Sequence, residues 1–192
     1  MLRGLYDWTL RLAEHPRALW ALALVAFAES SVFPIPPDIL MIPMILARPS
    51  RAWLIAAVAL LASVAGGLAG YAIGAFAYDT LGRPILEALG KEEAMAAFND
   101  TFNGVGVWAV LVAGVTPFPY KVITIMSGWT ALPLATFIAT SVLARGLRFF
   151  VLAALLRVYG APIRDFIERR LGLVFTLFVV LLIGGFLVVR VM

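Results

Sequence analysis

Five charged side chains lie inside stretches of the sequence that are otherwise apolar, and they are its candidates for chemistry. Glu29 follows eleven consecutive apolar residues, and Asp38 follows a pair of prolines. Lys121, Arg145 and Arg148 lie in two further apolar stretches. A charge at the centre of a bilayer costs roughly 2.5–3.5 kcal/mol on insertion scales, so each needs a counter-charge, water or a ligand. Two carboxylates and three cations can compensate one another around one polar cavity.

Each of these residues has a functional and a structural interpretation. Glu29 could accept a proton or bind a cationic headgroup, or it could form a structural ion pair with Arg145 or Arg148. Asp38 could also be functional, or it could cap the helix that follows it. The two arginines are three residues apart and share a helix face, where guanidinium groups could clamp a phosphate. Pairing the acids is their alternative role. Lys121 could add a phosphate contact or extend toward the interface.

The composition excludes most soluble classes of protein. The chain has 192 residues and no cysteine, and 63% of its residues are hydrophobic while only 14% are charged. Its mean hydropathy is +1.01. A soluble domain is about 45–50% apolar and about 25% charged, because it must cover its surface with polar groups. We therefore expect one membrane domain with no disulfide, no nucleic-acid partner and a net charge of +4 that reflects cytoplasmic arginines.

The charge-free stretches define the expected membrane layout. A spanning helix needs about 20 apolar residues, and 52–78, 133–156 and 171–189 meet that requirement without interruption. Two other apolar stretches, 18–47 and 102–131, are each broken near the middle by a Pro-x-Pro sequence. The prolines of these breaks are Pro34, Pro36 and Pro37 in the first stretch and Pro117 and Pro119 in the second.

Clustered prolines end helices, which leaves each half of these two stretches too short to span a bilayer. A broken helix is tolerated at membrane depth only where protein or water covers the freed backbone groups. We therefore predict two re-entrant helical hairpins, with Pro-kinked full spans as the alternative. Each break is followed by a long helix, which predicts an inverted repeat of the kind found in transporters. The fold class is thus an all-α polytopic membrane protein.

The basic residues favour the hairpins over full spans. With a cytoplasmic N-terminus, nine basic residues lie inside and two lie in the external segment 79–100. The nine are Arg3, Arg11, Arg17, Arg48, Arg51, Arg157, Arg164, Arg169 and Arg170. If the two broken stretches were full spans, Arg48 and Arg51 would lie outside. We expect an interfacial amphipathic helix over 1–17, a short helix within the external segment and a cytoplasmic loop over 157–170.

Gly66, Gly70 and Gly74 form two overlapping G-x-x-x-G units on the predicted helix 52–78. Small residues at this spacing allow two helix backbones to approach closely. We interpret them as a packing face for one of the hairpins, with a homodimer interface as the alternative.

Together these motifs resemble the DedA family, also called the SNARE-associated or VTT-domain family, and within it the YqaA-like branch. The run from Glu29 through Pro34-Ile-Pro36-Pro37 to Asp38 is similar to the family signature. Residues 66–74 are similar to its glycine-rich segment, and 116–121 to its second hairpin motif. The resemblance covers the chain from about residue 18 to residue 160.

The resemblance implies a lipid flippase or scramblase of the bacterial inner membrane. Its substrate would be a phospholipid or undecaprenyl phosphate, and the proton motive force would drive it. Glu29 and Asp38 match the family's essential acids. Thr116 and Lys121 stand where many members carry arginine, which leaves Lys121, Arg145 and Arg148 as the cations for phosphate.

The residues alone also allow an ion- or proton-coupled transporter of a small soluble solute. The sequence contains no Gly-x-Ser-x-Gly or His-Glu-x-x-His motif, so we do not expect an enzyme. The expected partners are membrane lipids, with no cofactor and no metal.

Overall fold

The computed structural model describes residues 17–33, 35–116 and 119–169, and within these ranges the regular structure is entirely helical. The α-helices are α1 (Ala18–Ser31), α2 (Asp38–Ala47), α3 (Ala52–Ala77), α4 (Arg83–Leu89), α5 (Glu92–Val115), α6 (Tyr120–Trp129) and α7 (Leu134–Arg169). A 3-10 turn, Pro49–Arg51, precedes α3, and a π-helical turn, Tyr78–Gly82, follows it. The expected amphipathic helix over 1–17 falls almost wholly outside the described residues, and the span 171–189, Pro34 and Pro117 lie outside them.

Two helical stretches are long and apolar enough to cross a membrane. They are Pro49–Leu89, with 41 residues, and Leu134–Gly160, with 27 residues. Their outward faces carry large apolar side chains such as Leu61, which is 71% exposed, and Leu143. A surface of this kind is stable in contact with lipid chains rather than water. The expectation of an all-helical fold with helices able to cross a membrane is therefore confirmed for the described residues.

Both proline-rich stretches interrupt the helices. α1 ends at Ser31 and α2 begins at Asp38, while α5 ends at Val115 and α6 begins at Tyr120. Pro37 and Pro119 are the residues that directly precede α2 and α6. A proline at the start of a helix is tolerated because the N–H that it lacks would have no intrahelical acceptor. The breaks therefore follow from the chemistry of proline.

The first broken stretch leaves from and returns to the same end of the molecule. The backbone of Phe27 lies against Gly66 and the Ser30 carbonyl lies near Gly70, so α1 runs beside α3 in the same direction toward its middle. α2 returns alongside α7, with Asp38 beside Arg148 and the Leu46 side chain beside Gly160.

The second broken stretch has the opposite arrangement. α5 runs beside α7, with Gly106 next to Leu132, two residues before α7 begins, and Gly114 next to Ala144 on α7. α6 then returns beside α3 and ends where Trp129 meets Gly82. The two stretches thus enter from opposite ends, and their breaks meet near the middle of the molecule.

The glycine stripe is buried where these elements cross α3. A methyl group on Gly66 would overlap the Phe27 carbonyl, and one on Gly74 would overlap the Ile125 carbonyl. Gly66 therefore faces α1 and Gly74 faces α6, so this face packs inside the chain. Gly128 on α6 makes the reciprocal approach to the backbone of α3.

Two helices extend beyond the expected segment boundaries. α5 begins at Glu92, inside the expected external segment, and continues as one helix of 24 residues to Val115. α7 continues to Arg169 through the expected cytoplasmic loop 157–170, with Pro162 inside it. Charged residues end a membrane segment without ending a helix, because Arg and Glu are good helix formers. The charge pattern therefore could not mark these helix ends.

Candidate functional site

The first ion pair joins Glu29 on α1 to Arg145 near the middle of α7. The Nη2 atom of Arg145 lies 2.5 Å from the Oε2 atom of Glu29, and the two side chains are 1% and 12% exposed, respectively. A buried ion pair is stable only when further hydrogen bonds satisfy its remaining donors and acceptors. The surroundings of this pair supply them.

Two serines close a ring of hydrogen bonds around this pair. Arg145 Nε donates to Ser63 Oγ over 2.7 Å, and Ser30 Oγ donates to Glu29 Oε2 over 3.1 Å. The two serine hydroxyls are 2.7 Å apart. Because the Ser30 proton is directed to Glu29, Ser63 donates to Ser30. The ring therefore links α1, α3 and α7. Within it, each of the two serine hydroxyls donates one hydrogen bond and accepts one.

Aromatic rings enclose the Arg145 guanidinium. Its carbon lies 4.8 Å from the ring centroid of Tyr120 and 4.7 Å from that of Phe149. The Tyr120 hydroxyl donates to Ser141 Oγ over 2.5 Å, which holds the ring in place. Cation–π contacts of this kind gain strength away from water. Arg145 is thus enclosed by protein atoms, and in this conformation it presents no face to a ligand.

The second ion pair joins Asp38 on α2 to Arg148, one turn farther along α7. Here the side chains are more open, with Arg148 19% and Asp38 21% exposed. Arg148 Nη1 also donates to the Thr116 carbonyl over 2.6 Å, so this side chain connects both breaks. Asp38 makes no capping hydrogen bond, because it is the first residue of α2 rather than its cap. The capping interpretation of Asp38 was wrong.

An open cavity of about 340 Å³ lies beside this second pair. Asp38 and Arg148 line it together with the apolar side chains of Ile42, Val115 and Leu152. The Oδ1 atom of Asp38 is buried and makes no hydrogen bond to the described residues. The cavity therefore combines one ion pair, which has an unused acceptor, with an apolar wall.

Lys121 contributes to the junction of the breaks rather than to either ion pair. Its Nζ donates to the Val32 carbonyl over 3.2 Å at an exposed position. Nearby, Thr124 Oγ1 donates to the Ser30 carbonyl over 2.9 Å. Carbonyls freed where α1 ends thus receive donors from α6, which is the compensation that a helix break in a membrane requires.

The structure therefore divides the five charged candidates into an enclosed pair, an open pair and a separate lysine. The two arginines do not form a single clamp. Sequence reasoning missed Ser30, Ser63, Tyr120 and Thr124, although small hydroxyl residues within apolar helices were the available signal. Among the residues that the structure describes, no group of three His, Cys, Asp or Glu could hold a metal ion.

Comparison with known proteins agrees with the sequence motifs. The model of the VTT domain matches residues 35–158. An uncharacterized protein of Haemophilus influenzae is 36% identical over 168 residues, which cover 85% of this chain and 87% of that protein. An uncharacterized homologue in Histophilus somni is 32% identical over the same shares of the two chains. No solved structure gives a significant match. The chain belongs to the VTT-domain family, the DedA family, of membrane proteins.

Proposed function

We propose that this protein is a flippase or scramblase that moves a phosphate-bearing lipid across the bacterial inner membrane. Candidate substrates are a phospholipid and undecaprenyl phosphate. One observation carries the proposal: the cavity between the two breaks unites the Asp38–Arg148 pair with an apolar wall. A lipid has the same division into a charged headgroup and apolar chains, whereas a soluble ion does not require the apolar wall.

In the proposed mechanism, Arg148 holds the phosphate of the headgroup. Guanidinium binds phosphate oxygens through two parallel N–H donors, which favours arginine over lysine for this role. The lipid phosphate replaces the Asp38 carboxylate at Arg148, while the acyl chains stay along Ile42, Val115 and Leu152. The headgroup thereby crosses the apolar region without losing its counter-charge.

The Glu29–Arg145 pair has a structural role and a proton-coupling role in this proposal. Glu29 and Arg145 hold α1 against α3 and α7, so their ring keeps α7, the helix that carries Arg148, in position. Protonation of Glu29 would release Arg145 from it, and we propose this step as the coupling to the proton motive force. Lys121 joins the two breaks through its hydrogen bond to the Val32 carbonyl, and we propose it as a further contact for the headgroup.

We further propose that both broken stretches are re-entrant and that the N-terminus is cytoplasmic. Each stretch begins and ends at one end of the molecule, and a re-entrant segment must do the same in the bilayer. The exposed residues Arg48, Arg51 and Arg157 lie at the end where α3 begins, whereas Asp79 and Glu87 lie at the other. The positive-inside rule assigns the arginine-rich end to the cytoplasm.

The test is a headgroup-resolved translocation assay in liposomes that contain the purified protein, with and without a pH gradient. Labelled phosphate lipids should cross in the presence of the wild-type protein, and Arg148→Ala should abolish the movement. Arg83→Ala, at an exposed residue outside the cavity, is the matched control and should retain the wild-type rate. Movement of a labelled soluble anion without lipid movement would contradict the proposal and identify a solute transporter.

A further inference from the structure

Three arginines and a tryptophan form a surface at the end of the molecule where α3 begins. We call this surface the basic collar, and it consists of Arg48, Arg51, Trp53 and Arg157. The 3-10 turn places the first two arginines together, and the N–H of Arg51 donates to the carbonyl of Arg48 over 3.0 Å. The guanidinium carbon of Arg157 lies 5.6 Å from the centroid of the Trp53 ring. The collar therefore joins two separate parts of the chain.

The positive charge of the collar is uncompensated among the described side chains. All three arginines are exposed, and none belongs to an ion pair between described residues. Glu29 and Asp38 are paired inside the protein with other arginines. The acids of the segment 79–100 lie at the opposite end of the molecule. Three exposed positive charges at one end of the molecule attract an anion, because opposite charges lower the electrostatic energy.

The tryptophan places the collar at the depth of lipid headgroups. Trp53 is partly exposed and stacks on Phe150, with ring centroids 6.0 Å apart. It lies in the first turn of α3, at the boundary between the arginines and the apolar span. Tryptophan is enriched at this boundary of membrane proteins because one part of its ring is apolar and another is polar. Phosphate groups of the bilayer lie at the same depth.

We propose that the basic collar binds the headgroup of an anionic phospholipid at a site separate from the transport cavity. Arg157 is nine residues beyond Arg148 on α7, which corresponds to about 13 Å along the helix. Basic residues near an anionic leaflet are attracted to it, and guanidinium adds directed donors to phosphate. The bound lipid fixes the end of α2 to α3 and α7. The inference does not depend on transport activity.

Trp53 provides the measurement. Full-length protein is placed in vesicles whose brominated acyl chains carry either phosphatidylglycerol or phosphatidylcholine headgroups, and tryptophan quenching is recorded. The same measurement on Trp53→Phe is subtracted, so that only the Trp53 signal remains. In both samples the brominated lipid is a minor fraction diluted into unlabelled phosphatidylcholine. At the same fraction, we expect brominated phosphatidylglycerol to quench Trp53 more strongly than brominated phosphatidylcholine does. Salt should reduce the difference, because ions screen exposed charges.

Replacing the three collar arginines by glutamine should abolish the difference between the two lipids. Arg83→Gln is the matched control, because that arginine is exposed at the other end, with its guanidinium carbon 5.9 Å from the Tyr78 ring centroid.

Equal quenching by both lipids in the wild-type protein, or an unchanged difference in the triple variant, would overturn the proposal. Loss of the difference on adding soluble glycerol phosphate would also overturn it and indicate a free-anion site. Arg148→Ala should abolish transport and leave the quenching difference intact, which separates the two proposals.

Discussion

At the scale of single residues, the two ion pairs differ in how completely the protein satisfies them. Glu29 and Arg145 are enclosed by two serines and two aromatic rings, and each has its partners within the protein. Asp38 and Arg148 are more exposed and leave one carboxylate oxygen without a hydrogen bond to the described residues. The first pair is therefore suited to holding helices together, and the second to exchanging a ligand.

Ser63→Ala should destabilise the protein by about 1–3 kcal/mol, because it leaves the buried Arg145 Nε without its acceptor. Thermal unfolding in detergent measures the change. Ser63→Thr retains the hydroxyl and should lose less stability. Ser50→Ala, at an exposed position, should leave the unfolding temperature unchanged. An unfolding temperature for Ser63→Ala equal to that of the wild type would argue against the ring.

Glu29→Gln should destabilise the protein by about 3–5 kcal/mol, because removing one partner leaves a buried charge uncompensated. Asp38→Asn should cost less, since its pair is more open to the surroundings. A double-mutant cycle of Glu29→Gln with Arg145→Gln measures the coupling free energy. Additive effects of the two substitutions would contradict a direct interaction.

At the scale of the elements, α3 is the helix against which both broken stretches pack. Its glycines allow α1 to approach on one part of the face and α6 on another. The close approach brings backbone carbonyls of one broken stretch within reach of side chains of the other, as in the bond from Thr124 to Ser30. The glycines thus determine the position of the breaks as well as the packing of the helices.

Gly70→Ala should lower stability by about 1–3 kcal/mol, because the new methyl group would overlap Thr124 and approach the Ser30 carbonyl. Gly104→Ala is the control on α5, where an added methyl group meets no atom within 4 Å. This control should be neutral or stabilising by up to about 1 kcal/mol, because alanine favours the helix. Equal unfolding temperatures of the two variants would refute the packing role of the stripe.

At the scale of the whole molecule, two oppositely directed broken stretches meet between α3 and α7. The hydrogen bond from Lys121 to the Val32 carbonyl joins the two breaks, and Arg148 joins them by contacting both Asp38 and the Thr116 carbonyl. The arrangement encloses charged side chains at the centre and presents apolar side chains outward. It combines a polar interior with a lipid-facing surface, as the transport proposal requires.

The chain lacks cysteine, so single cysteines can report the side of the membrane on which a residue lies. Arg17→Cys and Ser50→Cys should react with a membrane-impermeant maleimide from the same side, because the stretch between them returns to its starting end. Glu87→Cys should react from the opposite side. Labelling of the first two positions from different sides would identify 18–47 as a full span.

Much of the layout was predictable because it depends on local chemistry. Prolines end helices wherever they cluster, and long apolar runs give long helices, as α3 shows. The resemblance to the DedA family is confirmed by the VTT-domain match. The extents of α5 and α7 were not predictable from charge, since a helix continues through charged residues. Pairing with the two acids was the alternative role of the arginines, but their shared helix face did not identify which acid each one contacts.

By itself, the sequence determined that this is a helical membrane protein with two proline breaks and five charges that require compensation. These properties depend on neighbouring residues and on the cost of exposing charge to lipid. Only the tertiary structure decided that Arg145 is enclosed while Arg148 faces a cavity, and that Arg48 and Arg157 share a surface. Burial and pairing depend on residues distant in the sequence, such as Ser63 and Tyr120, and the packing of α3 brings these residues together.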